Sequence, residues 1–387
     1  MKILLFGNPS TLHSNLAMGL RERGHEVRSI SNRLGWRKFP VDDILLERNL
    51  YINQKLAFVK YVAEALPVLM KCRGYDIVQL SSPLLLDLRA SHNIPALRFL
   101  RRFNRKVVLG AYGDDAYTVE RMLNGKGLRY SDQRIGDTVR EDEAAKTQRR
   151  LWLDDTYGNV RLTRLAVEKC DAVVACLYEY WRCYEDICPE KLLHIPLPIV
   201  MEDTPKSFTV GERIKFFIGI QKERSMFKGT DIMLRAAKNV VERNSGKAEL
   251  KVVENVPYED YKRIMCGSDV ILDQLYSYTP SMNSLLAMSK GIICIGGGEP
   301  ESYDIVGEKT LKPIVNVEPT YESVCYAMEW IINNKGKIPQ MKADSVEYVK
   351  RHHDYRDVSR QYEELYKRLL QECFQQRIIC GKELSEK

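Results

Sequence analysis

The sequence predicts an α/β protein in which two doubly wound units, each built on a parallel sheet, face a central cleft. With 387 residues, the chain is too long for one ordinary hydrophobic core and long enough for two. In both halves, short apolar runs typical of buried strands alternate with helical patterns, which favours parallel pairing. Prolines at 196, 198 and 205 then interrupt the pattern, so we place a linker at 196–211. We therefore predict domains at 1–200 and 201–344, followed by a C-terminal segment at 345–387.

In the first half, a buried strand at 2–6 leads through a polar loop into a helix that starts near Ser14 and ends at Gly24. A second strand at 26–30 follows. The later segments of this half repeat the same alternation. They are helices at 56–70, 95–103 and 159–169, and strands at 76–80, 106–110, 172–176 and 193–195.

The alternation restarts after the linker with a strand at 214–218. The following segments are helices at 230–241, 258–265, 284–289 and 321–332, and strands at 249–253, 270–273 and 292–295. The charged tail at 345–371 is predicted to be one long helix. Because loops at the carboxyl ends of parallel strands hold ligands, the cleft between the units is the expected site.

The composition is that of a soluble globular protein, with 44% hydrophobic and 29% charged residues. No apolar run could span a bilayer and no signal peptide precedes the first strand, so we expect a cytoplasmic protein. Ten scattered cysteines form no Cys-x-x-Cys pair, so we expect no metal site. The net charge of +7 is modest and no nucleic-acid signature accompanies it; anionic small substrates or an anionic membrane fit as well.

A series of motifs in the second half resembles family 4 glycosyltransferases. Phe-Phe-Ile-Gly at 216–219, Arg224 and Lys-Gly-Thr-Asp at 228–231 are similar to the family's Arg…Lys-Gly signature. Three later stretches follow the family's order: residues 268–274, 287–295 and the Gly-Gly-Gly-Glu-Pro-Glu turn at 296–301. Each fragment is weak alone. A weaker likeness in the first unit, a glycine-containing first loop followed by Arg-Glu-Arg-Gly-His-Glu-Val at 21–27, extends the resemblance, in order, over most of the chain.

This resemblance implies the GT-B fold, with the last helix crossing back onto the first domain. It also implies a UDP- or GDP-sugar donor on the second domain, a glycan or lipid-linked acceptor on the first, retention of configuration, and no metal or cofactor. A role in polysaccharide biosynthesis would follow. The sequence departs from the family at two glutamates, where Leu286 and Tyr278 stand instead. This departure puts the sugar, and activity itself, in question.

Arg224 and Lys228 are the leading candidates for catalysis. Breaking a sugar–phosphate bond leaves negative charge on a diphosphate, and preorganised cations stabilise that charge. Both residues precede the helix at 230, whose N-terminus adds favourable partial charge. The alternative is a pair of solvated loop cations.

Other donor-side candidates follow from the same comparison. Glycines at the ends of each unit's first strand, Gly7 and Gly219, are expected close to the donor. Glu299 and Glu301 follow three glycines, and their carboxylates suit sugar or ribose hydroxyls, or simply a polar turn. The helix that begins near 284 is preceded or started by Ser281, Asn283 and Ser284, which suit capping, phosphate binding or both.

On the acceptor side, Asp114 and Asp115 follow the strand at 106–110. One of them is expected to bind an acceptor hydroxyl or act as a base, unless both only cap the next helix. The first loop supplies Ser10, Thr11 and His13, with the histidine either beside the acceptor or merely at the surface. Adjacent His352 and His353 are expected to be surface or packing residues.

A basic helix interleaves apolar residues with Arg98, Arg101, Arg102, Arg105 and Lys106. Trp-Arg-Lys-Phe at 36–39 is a second such cluster. Both suit peripheral contact with an anionic membrane, although packing on the sheet with solvated arginines is the simpler interpretation.

The expected activity is therefore sugar transfer. A nucleotide-sugar epimerase of the same architecture remains an alternative, since fold alone is weak evidence for function. It would turn over donor without an acceptor. A non-catalytic homologue that binds sugar nucleotide or glycan is the other alternative, and it would bind donor without turnover.

Overall fold

The computed structural model describes residues 1–33, 43–49, 51–201, 204–205 and 207–385, with side chains as far as residue 372. Fourteen strands lie in these ranges. They are β1 Lys2–Phe6, β2 Glu26–Arg33, β3 Ile44–Glu47, β4 Ile77–Leu80, β5 Lys106–Ala111, β6 Arg134–Ile135, β7 Thr138–Val139, β8 Ala172–Ala175, β9 Leu192–His194, β10 Ile214–Ile220, β11 Ala248–Glu254, β12 Val270–Leu272, β13 Ile293–Gly296 and β14 Val315–Asn316.

The helices fill the connections between these strands and the C-terminal tail. They are α1 Leu12–Glu22, α2 Gln54–Lys71, α3 Ala90–Phe103, α4 Ala116–Leu123, α5 Glu143–Leu153, α6 Asn159–Lys169, α7 Tyr178–Tyr184, α8 Ser225–Lys228, α9 Thr230–Arg243, α10 Tyr258–Met265, α11 Met282–Ser289, α12 Pro300–Asp304, α13 Tyr321–Asn333, α14 Ile338–His353 and α15 Tyr355–Ser385. Short 3-10 helices lie at Pro9–Thr11, Asp155–Tyr157, Lys222–Arg224 and Lys335–Lys337. No described helix is long and apolar enough to cross a membrane.

Two parallel sheets confirm the predicted fold class. The first has the order β3-β2-β1-β4-β5-β8-β9, and the second has the order β11-β10-β12-β13-β14. All pairings within both are parallel; for example, Ile3 lies opposite Val27 on one side and Ile77 on the other. The antiparallel hairpin β6–β7 lies outside both sheets. It belongs to the long segment between β5 and α6, where the sequence predicts no element.

Helices cover both faces of each sheet. In the first unit, α2, α3 and α6 share one core with the sheet, while α1 and α15 pack on the opposite face. In the second unit, α9 and α13 cover one face. The core of the other face is continuous with that of the first unit, through linker residues such as Leu197 and Ile199. Most described cysteines are buried as small apolar residues, and Cys266 is exposed.

The predicted tail helix is wrong in one respect, because it is divided at Asp354 into α14 and α15. Ile199 of the linker donates its N–H to the carbonyl of His353 at 2.7 Å and accepts from the N–H of Tyr355 at 3.0 Å. This pairing holds Asp354 in an extended conformation (ψ 125°). The helix therefore ends where the chain crosses back to the first unit. His353 is buried and donates from Nδ1 to the carbonyl of Leu197 at 3.0 Å, so it is a packing residue.

Buried polar contacts fix α15 on the first unit. The hydroxyl groups of Tyr112 and Tyr362 hydrogen-bond at 2.6 Å, and Tyr366 donates to Gln79 Oε1 at 3.1 Å. Glu363, although buried, accepts from Arg23 Nε at 2.7 Å.

Glu363 also pairs with His25 at 3.0 Å and Lys367 at 2.8 Å. Burial alone would raise the pKa of Glu363, but the hydrogen bonds from Lys367, Arg23 and His25 outweigh it and lower the pKa to about 2. The ionised carboxylate therefore stabilises the attachment of α15 to the first unit.

At neutral pH, Glu363→Gln should lower the free energy of unfolding by roughly 1–3 kcal/mol, because Arg23 and His25 lose a buried charged acceptor. Since the folded-state pKa lies below the unfolded one, this contribution is complete above about pH 5 and is lost as the pH falls towards 2. Urea unfolding of parent and variant across this range would measure it. Neighbouring Glu364, exposed and paired with Arg360, provides the control Glu364→Gln. A parent–variant difference that stays constant down to acid pH would contradict this role.

Candidate functional site

The candidate site lies where the carboxyl ends of both sheets approach each other. Asp114 follows β5 of the first unit, and Arg224 follows β10 of the second. Electrostatic interaction with the guanidinium of Arg224 acts on the carboxyl groups of Asp114 and Asp132. These three half-buried residues, which we call the charged cluster, come from elements far apart in sequence.

Asp115 does not belong to this cluster. Its Oδ1 accepts from the N–H of Thr118 at 2.9 Å, its N–H donates to the Thr118 hydroxyl at 2.7 Å, and Tyr184 donates to Oδ2 at 2.5 Å. Burial raises its pKa to about 6, while the bonds from Tyr184 and Thr118 oppose the shift. A capping box on α4 and a tyrosine occupy its carboxylate, which agrees with the alternative that Asp115 caps the next helix; a catalytic role for Asp115 stays a prediction.

Asp114 has the opposite environment. Within the described chain, its carboxylate has no hydrogen-bond partner. Burial raises its pKa, and Arg224 opposes the rise. A carboxyl group that is partly desolvated and unpaired in a cleft is suited to bind a hydroxyl group of a ligand.

Sequence reasoning missed Asp132. Burial raises its pKa well above the usual range, the nearby Asp114 raises it further, and Arg140 and Arg224 oppose the shift. Asp132 lies just before β6, in a stretch of 48 residues (112–159) that carries no strand of either main sheet. The length of this stretch was the available signal, since long connections in compact domains are commonly functional.

Arg140 positions the loop that carries the two predicted cations. It donates to the carbonyl groups of Met226 at 2.7 Å and Phe227 at 3.3 Å, and its guanidinium lies 3.9 Å from the ring centroid of Tyr276. It also donates to the backbone carbonyl of Asp132 at 3.1 Å. One buried side chain of the first unit therefore fixes the loop on which Arg224 and Lys228 stand.

The loop after β10 contains two short helical turns, a 3-10 turn ending at Arg224 and α8 ending at Lys228. Gly229 follows with φ of +70°, and a Cβ there would lie 2.9 Å from Leu275 Cβ, so both backbone and space favour glycine. Arg224 contacts the ring of Phe227 at 5.2 Å, and its guanidinium pairs with no described carboxylate. A guanidinium with unused donors is therefore available at the start of the second unit.

The predicted serines before and within α11 are used inside the protein. Ser281 occupies the N-cap position, but its hydroxyl donates to Asp273 Oδ2 at 3.1 Å and makes no capping bond. Ser284 also donates to Asp273, and Asn283 donates to the hydroxyl of Tyr261 at 2.6 Å. The first-turn N–H groups of α11, rather than these side chains, are what this element offers to a phosphate.

Glu299 and Glu301 are held by the first unit in ion pairs that the sequence did not predict. Arg129 donates to both oxygens of Glu301, at 2.5 and 3.0 Å, and to Glu299 at 2.6 Å. Tyr130 donates to the other oxygen of Glu299 at 2.6 Å. Both carboxylates therefore bridge the two units, and their role with donor hydroxyls stays a prediction.

A cavity of about 710 Å³ adjoins the ion pairs of Arg129 with Glu299 and Glu301. Carboxylate, amide and hydroxyl side chains of the second unit supply most of its polar surface. Its lining includes Arg129, Tyr130, Glu299, Glu301, Asp304, Asn316, Glu318 and Thr320.

The two positions where the family carries glutamates are filled by packing. Tyr278 is buried between the rings of Tyr130 and Tyr178, at centroid distances of 4.8 and 5.6 Å. Its hydroxyl contacts the backbone N–H of Arg129. Leu286 packs on the core that joins the units. An aromatic stack and an apolar contact therefore replace the carboxylates.

Among the residues predicted for the acceptor side, His13 is fully buried, so the alternative of a surface residue is wrong. Its Nδ1 donates to the carbonyl of Gly7 at 2.5 Å, and burial lowers its pKa to about 4. The imidazole is therefore neutral at physiological pH. Ser10 and Thr11 both have left-handed backbone conformations, with φ of 50° and 69°. Such strain in non-glycine residues is concentrated at functional sites.

The two predicted glycines lie against protein side chains. A Cβ on Gly7 would approach Ser81 Oγ to 1.8 Å, and one on Gly219 would approach the ring of Tyr261 to 2.3 Å. Each position therefore requires glycine for internal packing. Among the described residues, no group of three or more metal-ligating side chains comes together.

Solved structures similar to this chain share its architecture over nearly the full length. Sucrose-phosphate synthase from Thermosynechococcus elongatus has a TM-score of 0.61 at 12% identity and covers 95% of this chain and 99% of its own. HepE from Anabaena, solved with UDP and glucose, has a TM-score of 0.59 at 12% identity and the same coverage. A variant of TarM from S. aureus, solved with UDP, has a TM-score of 0.61 at 6% identity and covers 94% and 99%. The chain therefore has the GT-B fold.

No protein-family model and no curated protein matches the chain. At these identities the structural likeness establishes the fold alone, so function has to be inferred from the site.

Asp115→Ala should destabilise the protein by roughly 1–3 kcal/mol, because it removes the cap of α4 and leaves the Tyr184 hydroxyl without a partner. Asp114→Ala, one residue earlier, is the matched control and should leave stability unchanged or slightly raised. Thermal and urea unfolding of both variants would measure the difference. Equal destabilisation by the two substitutions would contradict this division of roles.

Proposed function

We propose that this protein is a glycosyltransferase that moves a sugar from a UDP- or GDP-sugar to a hydroxyl group of a glycan or lipid-linked acceptor, with retention of configuration. The main support is the position of Arg224. Its side chain is half-buried and forms no ion pair within 4.0 Å in the described chain, yet it interacts electrostatically with two carboxyl groups of the opposite unit, Asp114 and Asp132.

Arg224 and Lys228 bind the donor diphosphate in this proposal. As the bond to the sugar breaks, negative charge grows on the leaving phosphate, and cations already in place stabilise it without reorganisation. Arg140 supports this step from the first unit, since it fixes the carbonyl groups of residues 226 and 227 between the two cations. The leaving phosphate then accepts the proton of the acceptor hydroxyl. Because these cations neutralise the charge, the reaction needs no divalent metal.

Asp114 and Asp132 bind hydroxyl groups on the reacting side of the cleft. Two ionised carboxylates beside a diphosphate would repel it, whereas the raised pKa of Asp132 favours a protonated carboxyl that can donate a hydrogen bond. The pair can thus hold sugar or acceptor hydroxyls while remaining compatible with an anionic donor.

Donor identity is the first experiment. A thermal-shift screen of nucleoside diphosphates and nucleotide sugars would find ligands that bind the folded state, because such ligands raise the unfolding temperature. Product analysis with and without acceptors would follow. Sugar transfer to an acceptor supports the proposal; donor conversion without acceptor indicates an epimerase. Donor binding without turnover indicates a non-catalytic binding protein.

Arg224→Ala and Lys228→Ala should each reduce sugar transfer by about tenfold to a few hundredfold, since a charged hydrogen bond to phosphate contributes roughly 1.5–3 kcal/mol. Both should weaken binding of the nucleoside diphosphate but not of the free nucleoside. Arg224→Lys should restore activity incompletely, because an ammonium lacks the planar fork of donors.

Lys222→Ala is the matched control, since Lys222 lies in the same loop but is exposed and pairs with Glu254 at 2.8 Å. It should transfer sugar at the parent rate. If the alanine variants at 224 and 228 match this control in rate and in diphosphate affinity, the donor site lies elsewhere.

Asp132→Asn should remove a pH dependence of donor binding. In the parent, affinity for the nucleotide sugar should fall as the pH rises through the raised pKa of Asp132, because ionisation places a negative charge near the diphosphate. The amide cannot ionise, so the affinity of the variant should stay constant over this range. Calorimetric titrations at several pH values would test this. Parallel pH profiles for parent and variant would place Asp132 away from the donor.

A further inference from the structure

Helix α2 has apolar residues on both of its faces. One face packs into the core of the first unit through Ala57, Tyr61, Ala65 and Leu69. The opposite face is exposed, and no described element covers it. Its large apolar side chains retain about half or more of their accessible surface: Leu56 59%, Val59 61%, Leu66 54% and Met70 47%.

These residues form one continuous stripe. The apolar positions 56, 59, 63, 66 and 70 recur at intervals of three and four, so they follow one line along the helix. The exposed apolar stripe is about 21 Å long, at 1.5 Å of rise per residue. Tyr51, which is fully exposed, lies three residues before the helix begins. A row of large apolar side chains on a helix face that no described element covers is a candidate for contact with a partner or a membrane.

Positive charge surrounds the exposed apolar stripe. Lys55, Lys60 and Lys71 are exposed on α2, where Glu64 is the single acidic residue. Helix α3 lies on the same face of the sheet as α2, and the rings of Phe58 and His92 connect the two at 5.9 Å.

Two arginines of α3 add to this charge. Arg98 and Arg102 are exposed and form no ion pair with a described carboxylate, whereas Arg101 and Arg105 pair with Asp171 and Asp76. The apolar residues of α3 itself are mostly buried. Helix α3 therefore packs on the sheet, as the simpler interpretation of its sequence had it, and α2 is the element that presents apolar surface. The sequence cluster at 36–39 lies outside the described residues.

The charges favour a lipid surface over a second copy of this chain. In a symmetric dimer, the same patch of two copies would meet. The three lysines and one glutamate of each copy would then face an identical set, and the net positive charges would repel each other. The exposed apolar stripe also covers only roughly 200 Å² at a helix width of about 10 Å, against about 800 Å² per partner in a stable interface. Anionic headgroups complement the charges, and the apolar side chains fit the acyl boundary beneath them.

We propose that α2 docks this protein on an anionic membrane surface, with the exposed apolar stripe at the lipid boundary and the surrounding lysines and arginines on the headgroups. The helix begins shortly after the carboxyl end of β3, which is the cleft side of the first sheet. Docking therefore brings the cleft close to the membrane. Resting on the proposed function, this assigns the acceptor to the lipid-linked class.

Sedimentation with phosphatidylcholine vesicles, with and without phosphatidylglycerol, tests this proposal. The parent should bind the anionic vesicles at low salt and bind less as salt screens the charges. Combined Leu56→Gln, Val59→Gln, Leu66→Gln and Met70→Gln should lower the partition coefficient by at least about tenfold, because binding scales with buried apolar area. Glutamine is a good helix former, so folding should persist.

Tyr326→Gln combined with Leu151→Gln is the matched control, since both residues are exposed and apolar but lie on α13 and α5. It should bind vesicles like the parent. No binding of the parent to anionic vesicles, or equal binding by the stripe variant, would overturn the proposal. A parent dimer that the stripe variant converts to a monomer, without vesicle binding, would assign the exposed apolar stripe to a second copy instead.

Nucleotide-sugar binding, measured on the same preparations, separates this proposal from the proposed function. A parent protein that binds nucleotide sugar but not anionic vesicles rejects membrane docking alone. Vesicle binding by a protein that binds no nucleotide sugar rejects the glycosyltransferase assignment and leaves the docking surface in place.

Discussion

The relative position of the two sheets depends on one backbone pairing, where the chain crosses between the units twice. Ile199 of the linker exchanges hydrogen bonds with His353 and Tyr355 at the break between α14 and α15. Neither the linker at Ile199 nor the break at Asp354 lies within a helix or a named strand, so the backbone groups of these two segments hydrogen-bond to each other. The side chains of the charged cluster belong to different units. Their approach is therefore a consequence of this crossing and of the contacts that follow from it.

Electrostatics explains why such a cluster is tolerated in a partly buried cleft. Burial raises the pKa of both Asp114 and Asp132, and Asp114 raises that of Asp132 further; Arg224 opposes both shifts, and Arg140 opposes that of Asp132. Because the pKa of Asp132 is raised to about 8, its carboxyl group is mainly protonated at neutral pH, so the local negative charge is small and burial costs less than it would for two ionised carboxylates. In the proposed function, a diphosphate bound at Arg224 adds negative charge, which favours a protonated acid beside it. Charge balance thus links donor binding to the protonation of residues on the opposite unit.

The sequence predicted what local periodicity determines. Helix α6 and helix α10 have the predicted bounds, 159–169 and 258–265, and the alternation of strands gave both parallel sheets. Prediction from the sequence failed where contacts between residues far apart in the chain determine the structure. The break at Asp354 needs Ile199, the distinction between Asp114 and Asp115 needs Tyr184, and the pairing of Glu299 needs Arg129. A local sequence pattern does not identify any of these partners. The motifs named candidate residues in these loops without showing which side chains already have partners within the protein.

Tyr278 and Leu286 stand where the family that the sequence resembles carries glutamates, so carboxylates are distributed differently between the two units. The stack of Tyr130, Tyr178 and Tyr278 fills the space around position 278, and Glu299 is held by Tyr130 and Arg129. The carboxylates of Glu299 and Glu301 in the second unit are therefore engaged, whereas the first unit presents Asp114 and Asp132. If hydroxyl recognition rests on the first unit, a donor bound to the second is recognised fully only when the units are together. Contacts such as Arg129 with Glu301 then influence specificity without touching a substrate, because they set how long the two halves of the site remain in register.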